Sequence, residues 1–537
     1  MTRPAAIPLR ENILRLCRFC LCWLCILLFA GLAVLNLLRT AYFELSPGGE
    51  ATRNELVFYR ADSPLAALLV LGCAVAAAAW LAPLLRRLPP RLLEAGVPLL
   101  LFALSALWAC SARVLPRYDQ LYVQQAALRW IAGDFQDFLP REYLFMKAHQ
   151  ISFTLFLEGF YRLFGPNATP LFGILNAAAI GWTFWVLGRL CRLLLPAATR
   201  QGSWFYLFSA GCWCALLFSP YLYGNSLSAA LAVTALWQQI LWQQGGKTRH
   251  ILASGLCIAL AIQLKSFSLI ILAAQCILLL LHALRTKRRQ ALGWMLALLL
   301  LWQGAGLAVH KAMELRIGYP PNEGEPMVGY LAMGLMEPWE GFYAPGWYNE
   351  FNSNVYRDHD LDRQAASKAT LEVIRGRLDT FCHDPRYAAW FFYKKTCSQW
   401  ADPTYQGFWI SYGYFEGRED VDPPYPLWLE DVFSGRGHQL LVQLMDWYQS
   451  IVWACGAAFL FARRRALSLE QLLPGLCVLG GFLFQLFWEG KGQYVLPYFL
   501  LALPYAAAGF AMLTAAARRL LPAGVALLRR QKNAPGA

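Results

Sequence analysis

The chain has 537 residues, of which 58% are hydrophobic and only 15% charged, and it carries a net charge of +14. Repeated apolar runs of about 20 residues, enough to cross a hydrocarbon layer of about 30 Å, exclude a soluble globular protein and indicate a polytopic membrane chain. The basic excess falls in loops, so it reads as a topology signal and gives no reason to invoke a nucleic-acid partner.

About twelve spans are expected, centred in residues 17–38, 64–85, 93–114, 168–195, 203–220, 226–244, 250–264, 267–284, 290–311, 446–462, 471–488 and 496–516. Every second loop is basic. Arg3, Arg10, Arg15 and Arg18 precede the first span; Arg86, Arg87 and Arg91 follow the second; Arg189, Arg192 and Arg200 close the fourth. The series continues with Lys247 and Arg249, then Arg285 and Lys287 to Arg289, then Arg463 to Arg465, and ends with Arg518, Arg519, Arg529, Arg530 and Lys532. This alternation predicts a multi-pass protein of the cell membrane with both termini in the cytoplasm. The first run is long and lacks a small-residue cleavage site, so it reads as a retained anchor.

Four regions follow: two N-terminal spans with a short outer loop (1–92), a transmembrane core (93–312), an extracytoplasmic loop or lid (313–440), and C-terminal spans with a basic tail (441–537). The core contains "LPRYDQLYVQQAALRWIAGDF", which sets Asp119 at the mouth of an apolar helix and ahead of an amphipathic one. Residues 148–165 read as an interfacial helix, with Phe153, Phe156, Leu157, Phe160 and Leu163 at helical spacing. Counting them as a span would invert every later basic loop, so Asp119 is placed outside the cytoplasm, within the outer loop 115–167.

Residues 313–440 hold one amphipathic helix, "DLDRQAASKATLEVIRGRL", whose apolar positions are Ala366, Ala369, Leu371, Val373, Ile374 and Leu378. Its flanks, "EPWEGFYAPGWYNEF" and "WADPTYQGFWISYGYF", suit stacking on sugars, and equally a membrane interface. Of fifteen cysteines, only Cys382 and Cys397 lie well inside this loop, where a disulfide is permitted and not required. Cys17, Cys20, Cys22 and Cys25 have metal-like spacing but sit in an apolar helix without a nearby histidine, so no metal site is assigned.

Several groups converge on the same side as Asp119. They are Lys265 between two short apolar helices, Glu489, Lys491 and Tyr494 of "EGKGQYVLP", and the cluster Arg141, Lys147 and His149. Cations beside an apolar wall suit a lipid-linked phosphate, and a carboxylate suits proton removal from a hydroxyl. Glu142 is a second candidate base, whereas Asp134 and Asp137 read as helix-end residues.

In order, these parts resemble the GT-C superfamily of integral membrane glycosyltransferases, especially the group related to protein O-mannosyltransferases and the lipid A aminoarabinose transferase. The resemblance rests on "YDQLYVQQAALRWIAGDF", "HQISFTLFLEGFYRLFG", "GLCIALAIQLKS" and "EGKGQYVLPYFLLALP", over roughly residues 93–290 and 470–516. It implies a fold built of α-helices with interfacial helices and a large outer loop. It implies inverting transfer of a sugar from a polyprenyl-phosphate donor to an extracytoplasmic acceptor, a cell-envelope glycan or a protein. Asp119 would be the general base. Lys265 and Lys491, with Arg141, Lys147 and His149, would meet the donor phosphate; Tyr118, Gln120, Tyr122, Glu489 and Tyr494 would shape the cavity. Many members carry Asp-Glu where this chain has Asp119-Gln120, and glutamine supplies no second negative charge, which argues against a divalent metal. No other cofactor is implied.

Two other classes compete. A transporter or lipid-linked sugar flippase predicts ionisable residues near the bilayer midplane and repeated halves, and no internal repeat is evident. A scaffold with a receptor-like loop leaves the convergence of Asp119, Lys265 and Lys491 unexplained.

Overall fold

A computed structural model describes residues 9–45, 55–85, 87–195, 204–338, 344–412 and 427–532, and among these not the side chains of residues 85, 427 and 521–532. Arg3, Arg86, Arg200 and parts of the aromatic flanks, residues 339–343 and 413–415, lie outside the described residues.

The chain opens with α1 (Leu9–Leu38), an antiparallel hairpin of β1 (Arg39–Phe43) and β2 (Val57–Ala61), α2 (Pro64–Leu85) and α3 (Pro90–Ala112). Two amphipathic helices follow, α4 (Asp119–Ile131) and α5 (Ile151–Phe164), then α6 (Thr169–Leu194), α7 (Asn225–Gly245), α8 (Thr248–Leu264), α9 (Ser268–Thr286) and α10 (Gln290–Ile317). The lid region contains α11 (Val328–Gly334), α12 (Phe351–Asp358), α13 (Arg363–His383) and α14 (Pro385–Trp400). The C-terminal region contains α15 (Arg436–Arg463), α16 (Leu473–Phe487) and α17 (Leu496–Lys532). Among the described residues, eight helices are long and apolar enough to cross a membrane: α1, α2, α3, α6, α9, α10, α16 with its preceding turn, and α17. This is the architecture of an α-helical polytopic membrane protein, with one hairpin that the sequence did not announce.

Expected spans 226–244, 250–264 and 446–462 form α7, the shorter α8 and part of α15. Of the expected span 203–220, the described residues 204–220 are not one helix. A short helix, Trp204–Ser209, is followed by a 3-10 stretch, Trp213–Phe218. The segment nevertheless runs antiparallel to α6, because Tyr206 lies against Gly188 while Ser219 and Pro220 lie against Gly173. Those two glycines are about 22 Å apart along α6, so the broken segment covers much of a bilayer's depth.

Polar contacts fasten one end of the bundle. Glu94 on α3 pairs with Arg189 (2.6 Å) and Arg192 on α6, Arg285 on α9 pairs with Glu470 (2.6 Å), and Gln471 donates to Leu194 O (2.7 Å). Arg18 on α1 reaches Arg465 O (3.3 Å) beyond α15. These arginine-rich ends therefore gather together, and the opposite ends of α3, α8 and α16 lead into Asp119, Lys265 and Lys491.

The amphipathic helices form with small corrections. In α5, Phe153, Leu157 and Phe160 are buried, whereas Leu163 is 79% exposed, since ten residues of helix rotate it about 80° from Phe153. In α13, Ala366, Thr370 and Ile374 turn inward, while Leu371 and Leu378 lie on the outer side. Cys382 is exposed and Cys397 buried, and both are free thiols.

The lid docks on the turn between α16 and α17. Glu489 N–H donates to Tyr330 O and Gly490 N–H to Gly346 O, each at 2.9 Å. Lys395, 1% exposed, donates to Gly334 O (2.6 Å) and Trp488 O (2.7 Å). A Cβ on Gly334 would lie 2.1 Å from Phe487 O, so only glycine permits this approach.

Candidate active site

Asp119 begins α4, immediately after a left-handed Tyr118 with φ of 48°. A non-glycine residue held there stores strain, and its neighbour supplies the restraint. Arg117 is buried, donates to Trp409 O at 2.9 Å and lies 3.9 Å over the Trp409 ring. Gln120, also buried, accepts the Leu222 N–H at 3.1 Å and so fastens α4 to the broken segment. The corner is held on both sides of Asp119, and the Asp119 side chain itself is exposed.

Tyr143 donates to Asp119 Oδ1 at 2.9 Å and stacks on Tyr122 with ring centroids 4.8 Å apart. Burial and then the Asp119 charge hold the Tyr143 phenol well above its ordinary range, so it remains a donor. The charge of Asp119 also acts on Lys147, His149, Lys265, Lys491, Tyr223 and Tyr494. Ring contacts tie these groups together: Lys265 lies over Tyr223 and Tyr494, Lys147 and Lys491 share Tyr348, and Lys147 and His149 share Tyr330. His149 keeps solvent access, and its ring lies edge-on to that of Tyr330 with centroids 6.0 Å apart. Its enclosure by neighbouring groups, with Lys147 and Lys265 nearby, draws it below its ordinary value, so the ring is neutral at physiological pH.

The three cavity lysines differ in their partners. Lys147 pairs with Glu325 of the lid and donates to Ser353 Oγ (3.0 Å); burial would lower it, but Glu325 holds it above its ordinary value. Lys491 pairs with Glu55 at 2.7 Å, and Glu55 and Glu489 likewise outweigh its burial. Lys265 has no carboxylate within ion-pairing distance among the described residues. It lies 3.9 Å above the Tyr223 ring and 5.5 Å from that of Tyr494, and burial draws it down to about 8 despite Asp119 and Glu489. Glu489 is buried, accepts from Tyr494 OH (3.4 Å), and is raised by that burial against the pull of Lys491, Lys265 and Lys147.

The fold thus brings together Asp119, Tyr122, Lys147, His149, Lys265, Glu489, Lys491 and Tyr494 from distant parts of the chain. Tyr118 and Gln120 belong to the corner that sets Asp119. Arg141 is exposed in a left-handed turn with φ of 74°, and no described contact ties it to the cavity. Asp134 and Asp137 are structural: Asp134 accepts the Gln136 N–H (3.0 Å), and buried Asp137 pairs with Arg129. Sequence reasoning missed Glu55, Tyr143, Tyr223, Glu325 and Lys395. Only Tyr143 had a local signal, its closeness to Lys147 and His149.

A carboxylate, one unpaired ammonium and several ring faces can jointly accept a proton, hold an anion and flank a sugar. No protein-family model matches the chain, and no curated protein matches it in sequence.

Proposed function

We propose that the chain is an inverting membrane glycosyltransferase of the GT-C type, which moves a sugar from a polyprenyl-phosphate carrier to a hydroxyl-bearing acceptor. The observation that supports this reading is that exposed Asp119 and unpaired Lys265 lie within electrostatic reach of each other, at the ends of helices remote from the arginine-rich loops. By the positive-inside rule this site faces away from the cytoplasm, on the side of a cell-envelope glycan or protein acceptor.

In the reaction, the acceptor oxygen bonds to the anomeric carbon as the bond from that carbon to the phosphate oxygen breaks. The phosphate leaves with the bonding pair, and Lys265 stabilises its growing charge, so no general acid is required. Asp119 takes the acceptor proton, and Tyr143 keeps its carboxylate oriented. Lys147 and Lys491, already paired with carboxylates, shape the field around the phosphate, and Tyr122 and Tyr494 offer faces to the sugar. The charged groups lie at helix ends and not mid-span, which favours chemistry over transport.

The test incubates purified protein in nanodiscs with a panel of polyprenyl-phosphate sugars. Release of free carrier phosphate by the wild type and not by Asp119→Asn supports the reading. Movement of intact donor across the bilayer without release identifies a flippase instead.

A further inference from the structure

Lys265 and Lys491 lie within electrostatic reach of each other and of Asp119 but differ in one respect, the carboxylate that meets Lys491. Glu55 Oε1 and Oε2 accept from Lys491 Nζ at 2.9 and 2.7 Å, and the two side chains are only 11% and 15% exposed. Glu55 comes from the N-terminal hairpin, far outside the regions that resemble a glycosyltransferase core. Its φ of 51° is a left-handed conformation that non-glycine residues rarely adopt, so the backbone is bent where the carboxylate is delivered. The hairpin itself is anchored. Ala41 N–H donates to Ala401 O (2.8 Å), and Thr40 Oγ1 lies 2.6 Å from Asp62 Oδ2 and 3.0 Å from Asp446 Oδ1.

We propose that Glu55 is a positioning residue, which holds the Lys491 ammonium in place at the wall of the Asp119 cavity and so makes the site depend on the N-terminal hairpin. The function proposed above enters only through the cavity's role in turnover.

The neighbouring lysines indicate what Lys491 would be without its partner. Lys265, facing Asp119 and Glu489 but paired with neither, is drawn by burial to about 8, and Lys395 is lowered by burial even though its ammonium donates to two backbone carbonyls. Lys491 feels the same burial and is nevertheless held above its ordinary value, with Glu55 the largest opposing influence. The other groups facing it are Glu489 on its own turn, Asp119 across the cavity, Lys265 and the ring of Tyr348 at 5.8 Å. Asp402 lies close to the adjoining Gly492.

The test uses full-length protein in nanodiscs with its lysines labelled with 15N at Nζ, and the Lys491 signal assigned by its loss in Lys491→Arg. Glu55→Gln should lower the Lys491 titration midpoint by about two pH units or more, into the range of Lys265, and Glu55→Asp should largely restore it. An unchanged Lys491 midpoint in Glu55→Gln overturns the proposal. So does an equal fall at Lys147 and Lys265, which marks a general rearrangement. In carrier-release assays, the Glu55→Gln defect should grow by about tenfold between pH 7 and pH 9, as Lys491 loses its proton. A deficit equal at every pH overturns the role in turnover. Absence of release in the wild type overturns the transferase reading and leaves the titration result decisive for Glu55.

Discussion

Tyr143 donates its phenolic hydrogen to Asp119 Oδ1 at 2.9 Å while its ring rests on Tyr122, 24 and 21 positions back along the chain. The stack fixes the donor, and the donor fixes one carboxylate oxygen; in the mechanism we propose, the other oxygen would face the acceptor hydroxyl. Asp119→Asn keeps the size of the side chain but removes proton acceptance. Turnover should fall by roughly two to four orders of magnitude with donor binding retained, whereas Tyr143→Phe should cost about tenfold. Near-normal turnover in Asp119→Asn would move the base to Glu142 or Glu489.

Donor binding is expected to separate the lysines. Lys265→Gln removes an ammonium that has no carboxylate partner, so affinity should weaken by about tenfold or more; Arg288→Gln at the arginine-rich end serves as the control. The effect has a defined pH dependence. With Lys265 drawn down to about 8, its charge is present below that pH and lost above it, so affinity should decline as pH rises through about 8. Lys265→Arg should flatten this decline, because arginine does not lose its proton. Equal affinity in Lys265→Gln, Lys491→Gln and the control would remove the phosphate site.

Lys395 on α14 bridges two backbone carbonyls, Gly334 O at the end of α11 within the lid and Trp488 O just beyond the membrane helix α16. Lys395→Met preserves bulk but leaves both carbonyls unpaired, a loss of about 1–3 kcal/mol for each. The variant should melt several degrees lower and expose the lid to limited proteolysis. Proteolysis of the lid at the wild-type rate would show that other contacts suffice.

Sidedness is checked by single cysteines introduced beside Asp119, within the lid and beside Arg288. Impermeant thiol reagents applied from outside should label the first two and not the third. Labelling at position 119 only from the cytoplasmic side would sink the catalytic assignment.

What could be read from the sequence was local. The apolar runs, the 3.6-residue period of α5 and the position of Lys265 between two such runs depend on neighbours a few residues apart. The hairpin depends on pairing between "RTAYF" and "VFYRA", five-residue strands whose connection holds the turn formers Pro47, Gly48 and Gly49 but is far longer than a tight hairpin turn, and nothing nearby distinguishes Glu55 from an ordinary loop acid. Lys395 likewise looks like a solvated lysine in "FFYKKT". Its acceptors arrive from 61 and 93 residues away, and only the folded chain brings them to it. The Arg129 and Asp137 pair shows the intermediate case, in which partners eight residues apart supported a structural reading without revealing the contact.

The broken segment beside α6 has a mechanical meaning. A regular helix is stiff because each turn is bonded to the next, but this stretch takes much of its shape from outside. Asn176 of α6 donates to Ser219 O at 3.2 Å and to Tyr221 O at 2.8 Å, and Ser219 Oγ donates to Ser105 O at 2.7 Å. Two residues further on, Tyr223 lies beneath the Lys265 ammonium. The place of Tyr223 under the cation is therefore set by α3 and α6, which grip the segment just before it, and not by helix bonding of its own.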